Sequence, residues 1–481
     1  MASWKQPFIK CVVCGTSTIW IATFVCTGMI FGLTSGVAMG DAPIKLMESP
    51  LEQRAYLVKS QISTTGKVQA AMAGGNQEDL KLQANVTFEF LSRRLPSGGR
   101  DALALREARQ FRVAHLVTSV ADYETQARLP ADRQLIVATG DREGLVSYSP
   151  QGPLTRETVD LLEIPGDPLA LLALLPLTEV RIAEEWTPAD WVLQMLTGVE
   201  AVETTELTCR LEQATAKAAK VTFHGKIKGQ RLGTNTTVSV AGAFLFNREQ
   251  QYLSQSKTIY TITSDVGTVN PGLDMQVSTS LTRAPADSAD QLTDEFLKSI
   301  PLDAPPTALG LEYVAAPWGM ALNHERDWHL FQAVYDASAP VAILRLVELG
   351  SLVAQCNLSP APPAPDGKTT PLEQFEADIE QSLGERFGEI ISREKIPTTD
   401  GRQIFRVEVN GNVVIKSTKG RADIPMVWIY YLVAHPNGRQ ASFVFSVEPT
   451  LMEQLKGRDR ELVTSLKFVA PTQNASRTSA P

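Results

Sequence analysis

Cysteine, histidine and long apolar runs are all scarce in this 481-residue chain, and each scarcity excludes something. Three of the five cysteines, Cys11, Cys14 and Cys26, fall within the first 40 residues. Cys209 and Cys356 remain, too few for a disulfide framework. Cys11 and Cys14 have CxxC spacing, but they lie in an apolar run with no second ligand pair, so a metal or redox reading is discounted. Cys209 shares a strand parity with Leu207 and Leu211 and reads as a buried thiol; a disulfide to Cys356 is the minority alternative. The phosphate-binding GxxxxGK[ST] loop, the GxSxG elbow and a strand-coupled GxGxxG are all missing after residue 40. His324 and His329 flank Glu325 in a zinc-like array, but the second histidine falls at i+5, and sharing a helical face requires i+4. A solvated turn is the expectation there, with no metal and no cofactor. A catalytic reading, as a hydrolase with an unfamiliar site, would need His324, Asp327 and His329 to converge in one cleft with shifted pKa values.

Positive charge is also in deficit. The 45 Lys and Arg residues against 53 Asp and Glu give a net charge of −8. That argues against nucleic acid and against binding anionic lipid by bulk charge. The one long apolar run is N-terminal: Lys5 and Lys10 precede residues 11–40, which carry no charge, and Ala38 and Gly40 occupy the −3 and −1 positions of a cleavage site. This is the layout of a secretory signal peptide, with an uncleaved membrane anchor as the rival. Either way residues 41 onward are expected outside the cytoplasm, secreted or in the cell envelope, with contact to a membrane only through an uncleaved leader. The tail at 471–481 is polar and reads as disordered. Asn85, Asn235, Asn357 and Asn474 begin Asn-x-Ser/Thr sequons, which matter only in a source that glycosylates its exports.

What is present in quantity is period-2 alternation. Residues 217–283 form four segments of alternating apolar and polar residues, the pattern of an antiparallel meander with one apolar face. Residues 81–90 alternate as regularly. Between these regions the pattern is helical: Thr155 and Asp167 followed by Pro168 are helix starts, residues 169–175 are almost wholly apolar, and another helix begins near Asp190. Residues 101–110, rich in Ala, Leu, Arg and Glu, also favour a helix locally. The apolar face must be covered by these helices or filled by a ligand. Residues Phe223, Val240, Phe244, Tyr260, Leu171 and Leu174 are the candidate lining if an apolar ligand is carried, and otherwise ordinary core, the favoured account.

Proline-rich residues 284–310 mark a boundary. Beyond it, 328–335, 341–347 and 351–358 read as strands. Thr370, Pro371 and Glu373 form a capping-box pattern before a helix with Leu372, Phe375, Ile379, Leu383 and Phe387 on one stripe. Asn410 and Gly411 read as a type I′ hairpin turn between 403–409 and 413–416. Residues 426–434 are apolar on both parities, as in a central strand covered on both faces. A last helix is expected near 450–466.

The strand, helix, strand order of residues 50–283 resembles the curved antiparallel sheets of the LolA-like lipoprotein carriers, whose helices plug the concave face. Residues 311–469 resemble the PsbP-like fold, on the helix from Leu372, the dense 426–434 strand and the closing residues 461–468. That likeness implies a non-enzymatic module acting through protein or small-ligand contacts. The fold expected is therefore α+β: a leader at 1–40, a large curved antiparallel sheet domain with inserted helices at 41–283, a linker at 284–310, and an α/β/α sandwich on a mainly antiparallel sheet at 311–470. The function expected is exported, non-catalytic binding of a protein or an apolar small molecule.

Overall fold

The computed structural model describes residues 42–48, 54–71, 77–97, 105–141, 144–267, 270–348, 351–365, 368–417 and 420–470. The leader and the tail lie outside the described residues. Strands take 56% of what is described and helices 16%, in three antiparallel sheets. This overturns the expected balance of α and β and the α/β/α sandwich: the helices foreseen are short, and the strands between them are long.

The largest sheet has 12 strands. They are β1 (Ala55–Ala71), β2 (Gln77–Leu95), β3 (Leu105–Val120), β4 (Tyr123–Arg128), β5 (Leu135–Asp141), β6 (Gly144–Tyr148), β7 (Glu185–Trp186), β8 (Ala201–Ala214), β9 (Ala218–Arg231), β10 (Thr234–Asn247), β11 (Tyr252–Ser264) and β12 (Gly272–Pro285). The order is β6-β5-β3-β2-β1-β12-β11-β10-β9-β8-β7, with β4 beside β3. The first and last long strands meet at its centre, where Tyr56 faces Pro285 and Gln69 faces Gly272. Helices α1 (Arg156–Leu162), α2 (Pro168–Leu172) and α3 (Asp190–Thr197) lie against the apolar face and share one core with it. The Thr155 hydroxyl caps α1, and the Asp167 carboxylate caps α2 ahead of Pro168.

Residues 105–110 are strand, against the helical preference of that stretch. Pairing of β3 with β2 and β5 outweighs the propensity, a weak prior. Arg106, Glu107 and Arg109 are almost fully buried there, with partners for their charges.

In the proline-rich stretch, α4 (Asp294–Ser299) and α5 (Pro306–Leu309) pack with Leu292 and Ile300 against Leu91, Leu95 and Tyr148 of the large sheet. A three-stranded sheet follows, of β13 (Leu311–Ala315), β14 (Met320–His324) and, from the far end of the chain, β22 (Lys467–Phe468). The third sheet contains β15 (Trp328–Val334), β16 (Val341–Glu348), β17 (Ser351–Ala361), β18 (Phe387–Ile396), β19 (Gln403–Ser417), β20 (Gly420–Ala434) and β21 (Gln440–Val447), in the order β15-β16-β17-β21-β20-β19-β18. Helix α6 (Leu372–Leu383) lies on one face, and α7 (Met452–Leu455) and α8 (Arg458–Thr464) on the other. The single closing helix expected at 450–466 is thus broken in two.

Two local readings fail for identifiable reasons. Asn410 and Gly411 do not turn; β19 runs straight through them, pairing with Val427 and Met426. Gly411 is required by crowding, because a Cβ there would clash with the Arg386 carbonyl oxygen and lie 3.0 Å from the Trp428 ring. The Thr370 capping box does not form either: Pro371 is the cap position, and Thr370 bonds Gln440.

Candidate binding cleft

Leu171, Leu174, Phe223, Val240, Phe244 and Tyr260 come together in the core between the large sheet and α1 to α3, none more than 3% exposed. Phe223 and Phe244 are ring neighbours at 6.3 Å. A cavity bounded by Phe88, Phe111 and Ile164 beside Arg109 and Asp167 holds about 10 Å³, room for one water at most. Arg109, on its lining, donates to both Asp167 carboxylate oxygens at 2.6 and 2.7 Å and to Glu107 at 2.6 Å.

His324 ends β14, His329 lies in β15 and Asp327 lies between them, close to where the small sheet meets the large one. Nδ1 of His324 donates to the Glu325 carbonyl at 2.7 Å. Burial pushes its pKa down to about 4, and burial with the nearby Arg156 pushes His329 down to about 3. Asp327 turns to Arg458, accepting from Nη2 at 2.7 Å. Beside them Arg326 donates to Glu163 at 2.8 Å, to the Leu309 carbonyl at 3.1 Å and to the Ser147 carbonyl. Among the described residues no cluster of three or more His, Cys, Asp or Glu could hold a metal ion. Cys209 and Cys356 are free thiols buried in separate cores, and burial pushes Cys209 up to about 12. No disulfide joins them.

The open site lies elsewhere, on the α6 face of the seven-stranded sheet. The helix buries Phe375, Ile379 and Leu383 against Phe405, Val407 and Val409 of β19 and Trp428, Tyr430 and Leu432 of β20. Its cover stops there. On β21 and β17 the same face presents Ser442, Val444, Ser446, Gln355 and Asn357, and between this floor and the wall of α6 runs a trough of about 760 Å³. That is within the usual range for small-molecule sites, about 300–1,000 Å³.

The wall is fixed at both ends. Buried Gln440 accepts from the Thr370 amide at 3.0 Å and the Thr369 hydroxyl at 3.1 Å, and donates to the Pro362 carbonyl. At the other end the Ser382 and Tyr430 hydroxyls are 3.2 Å apart. Burial pushes the Tyr430 phenol upward in pKa, keeping it a neutral donor. Among the described residues, Asp378 and Arg386 are the charged ones lining the trough.

Sequence reasoning passed over this site because its residues come from four separated segments and its floor reads as a solvent-facing strand parity. One signal was available. Adjacent β20 is apolar on both parities, whereas β21 pairs an apolar parity (Ala441, Phe443, Phe445, Val447) with a mostly polar one (Gln440, Ser442, Ser446, broken by Val444). Such a contrast between neighbouring central strands marks where helical cover ends.

No family model matches the chain, and no curated protein matches it. Solved structures with weak resemblance include cyanobacterial PsbP (CyanoP) from Synechocystis sp. PCC 6803, at 17% identity, 34% of this chain, 93% of that one and a TM-score of 0.25. Lipovitellin aligns with 50% of this chain at 10% identity and a TM-score of 0.28, but only 26% of its own length is covered. The MucA/MucB complex of Pseudomonas aeruginosa aligns over 88% of this chain and 96% of that one, at 12% identity and a TM-score of 0.17. Scores this low carry no functional argument.

Proposed function

We propose that this is an exported, non-catalytic protein that acts by binding, and that its ligand occupies the trough beside α6. The observation that carries the reading is the trough itself: about 760 Å³ open between α6 and a floor that presents both polar and apolar side chains. Export rests on Lys5, Lys10 and the uncharged residues 11–40. Among the described residues no helix is long and apolar enough to cross a membrane.

The trough's chemistry favours a ligand with its own hydrogen-bonding groups. An acyl chain laid on Ser442 and Ser446 would desolvate their hydroxyls, at about 1–3 kcal/mol for each left unpaired. A ligand carrying donors and acceptors avoids that cost and still gains from apolar contact with Phe375 and Val444.

Native mass spectrometry of the protein purified from its source tests the reading. A mass should be retained by the natural chain and lost in Ser442→Trp, which fills the trough. An adduct that survives in Ser442→Trp, or no adduct on either protein, counts against it. N-terminal sequencing of the same material tests export by cleavage, which places the start at Asp41.

A further inference from the structure

We infer that the free edge of β4 is a self-association surface, which takes β4 of a second copy of this chain in antiparallel register about a two-fold axis at Gln126. This surface is separate from the trough and does not depend on what the trough binds. Among the described residues, β4 borders β3 and no other strand. The longer edges elsewhere are covered or interrupted. On β6 the Ser147 amide donates to Glu163 at 2.7 Å, and its carbonyl accepts from Arg326. β13 adjoins Leu154 through Leu311. β8, β15 and β18 are broken by bulges, which blunt an edge against pairing. β4 carries none, and pairs with β3 without a shift from Val120 and Tyr123 to His115 and Arg128.

Backbone parity decides which groups are free. Along an antiparallel edge strand, alternate residues bond inward and outward. The Leu129 amide donates to the Ala114 carbonyl at 3.2 Å, so the odd-numbered residues of β4 bond to β3. The N–H and C=O groups of Glu124, Gln126 and Arg128 therefore point away from the sheet. All three residues are exposed, and no backbone hydrogen bond among the described residues reaches those groups.

Antiparallel pairing centred on Gln126 uses all of them. It sets Gln126 opposite its own copy and, twice by symmetry, Glu124 opposite Arg128 of the copy; these pairs exchange about six main-chain hydrogen bonds. The side chains agree with the backbone. Glu124 and Arg128 share one face of the sheet, so each of their cross-strand pairs joins opposite charges. On the other face Tyr123, 68% exposed, meets Leu129 of the copy. The hairpin turn at Ala121, with φ at 52°, ends the ladder on one side, and Pro130, which has no N–H, ends it on the other. A slip of two residues puts Glu124 or Arg128 opposite Gln126 and loses both ion pairs, so charge selects the register.

Sedimentation velocity on the full mature chain tests this. The natural chain should show a monomer–dimer equilibrium across the micromolar range. Glu124→Arg and Arg128→Glu should each weaken the dimer about tenfold, because each sets like charges opposite one another twice. An equimolar mixture of those two variants should associate about as tightly as the natural chain, since opposite charges then face each other again at both places. Gln126→Pro should abolish the dimer, because it removes an outward N–H and leaves the bonds to β3 in place. All three positions are exposed, so none of these changes disturbs the core. A chain that stays monomeric throughout that range overturns the inference. So does a dimer that all three variants leave unchanged, or a mixture that associates no more tightly than its components alone.

Discussion

Asp167, at the start of α2, and Arg109, on β3, meet in a two-point ion pair at 2.6 and 2.7 Å, both side chains nearly out of contact with solvent. The same carboxylate caps α2 by accepting from the Leu169 amide at 2.8 Å. One residue therefore ties the helical insert to the sheet and starts its second helix. Asp167→Asn can keep the cap but strips Arg109 of one of its two carboxylates. Removing one partner of a buried pair typically costs about 3–5 kcal/mol, and equilibrium denaturation should show a loss of that order. A near-neutral result would mean that the insert is not held here.

The six residues beneath the insert separate a packed core from a ligand lining. Truncating a filled core leaves a cavity, so Leu171→Ala should cost about 2–5 kcal/mol and Phe244→Ala about 3–5 kcal/mol. Residues lining an empty pocket would show little loss, since no packing partner is removed. Denaturant midpoints of the purified variants read the difference.

Acid stability is set partly by His324. Its folded pKa, about 4, lies below the ordinary value of about 6.5 because burial disfavours the charged ring. The unfolded chain therefore binds a proton before the folded one does. The stability that neutral His324 contributes is complete above about pH 6.5 and is lost progressively as pH falls towards 4, about 3 kcal/mol in all. His329 acts in the same direction. Stability of His324→Gln should fall less steeply between pH 6.5 and 4 than that of the natural chain. Parallel pH profiles would contradict the assignment.

Gly411 tests the straight course of β19. Its Cβ would meet backbone at Arg386, so Gly411→Ala should cost about 1–3 kcal/mol by overpacking. It should also loosen the Arg386 end of the trough, seen as faster amide exchange at residues 384–388.

How far the sequence could be read follows from burial. Strands β2 and β9 to β12 are half-buried, so alternation shows in the residues themselves: Val221 and Phe223 point in, Lys220 and Thr222 out. The Asp167 cap is equally visible because it is local. Residues 105–110 were illegible, since Arg106, Glu107 and Arg109 look like a solvated helix face, and the partners that bury them (Pro301, Asp167) are far along the chain. Gly411 was misread because close approach and a turn both select glycine. The trough was hardest, since a polar strand parity describes water and a ligand equally well until the extent of α6 is known.

Hydrogen exchange on protein isolated with its co-purifying ligand, and again after the ligand is stripped, tests the central claim most directly. The account predicts that stripping raises exchange in α6 at Leu372–Leu383 and in β21 at Gln440–Val447, and leaves α1 to α3 unchanged. Increased exchange confined to α1, α2 and strands β9 to β11 would contradict it, and would return the ligand to the large sheet.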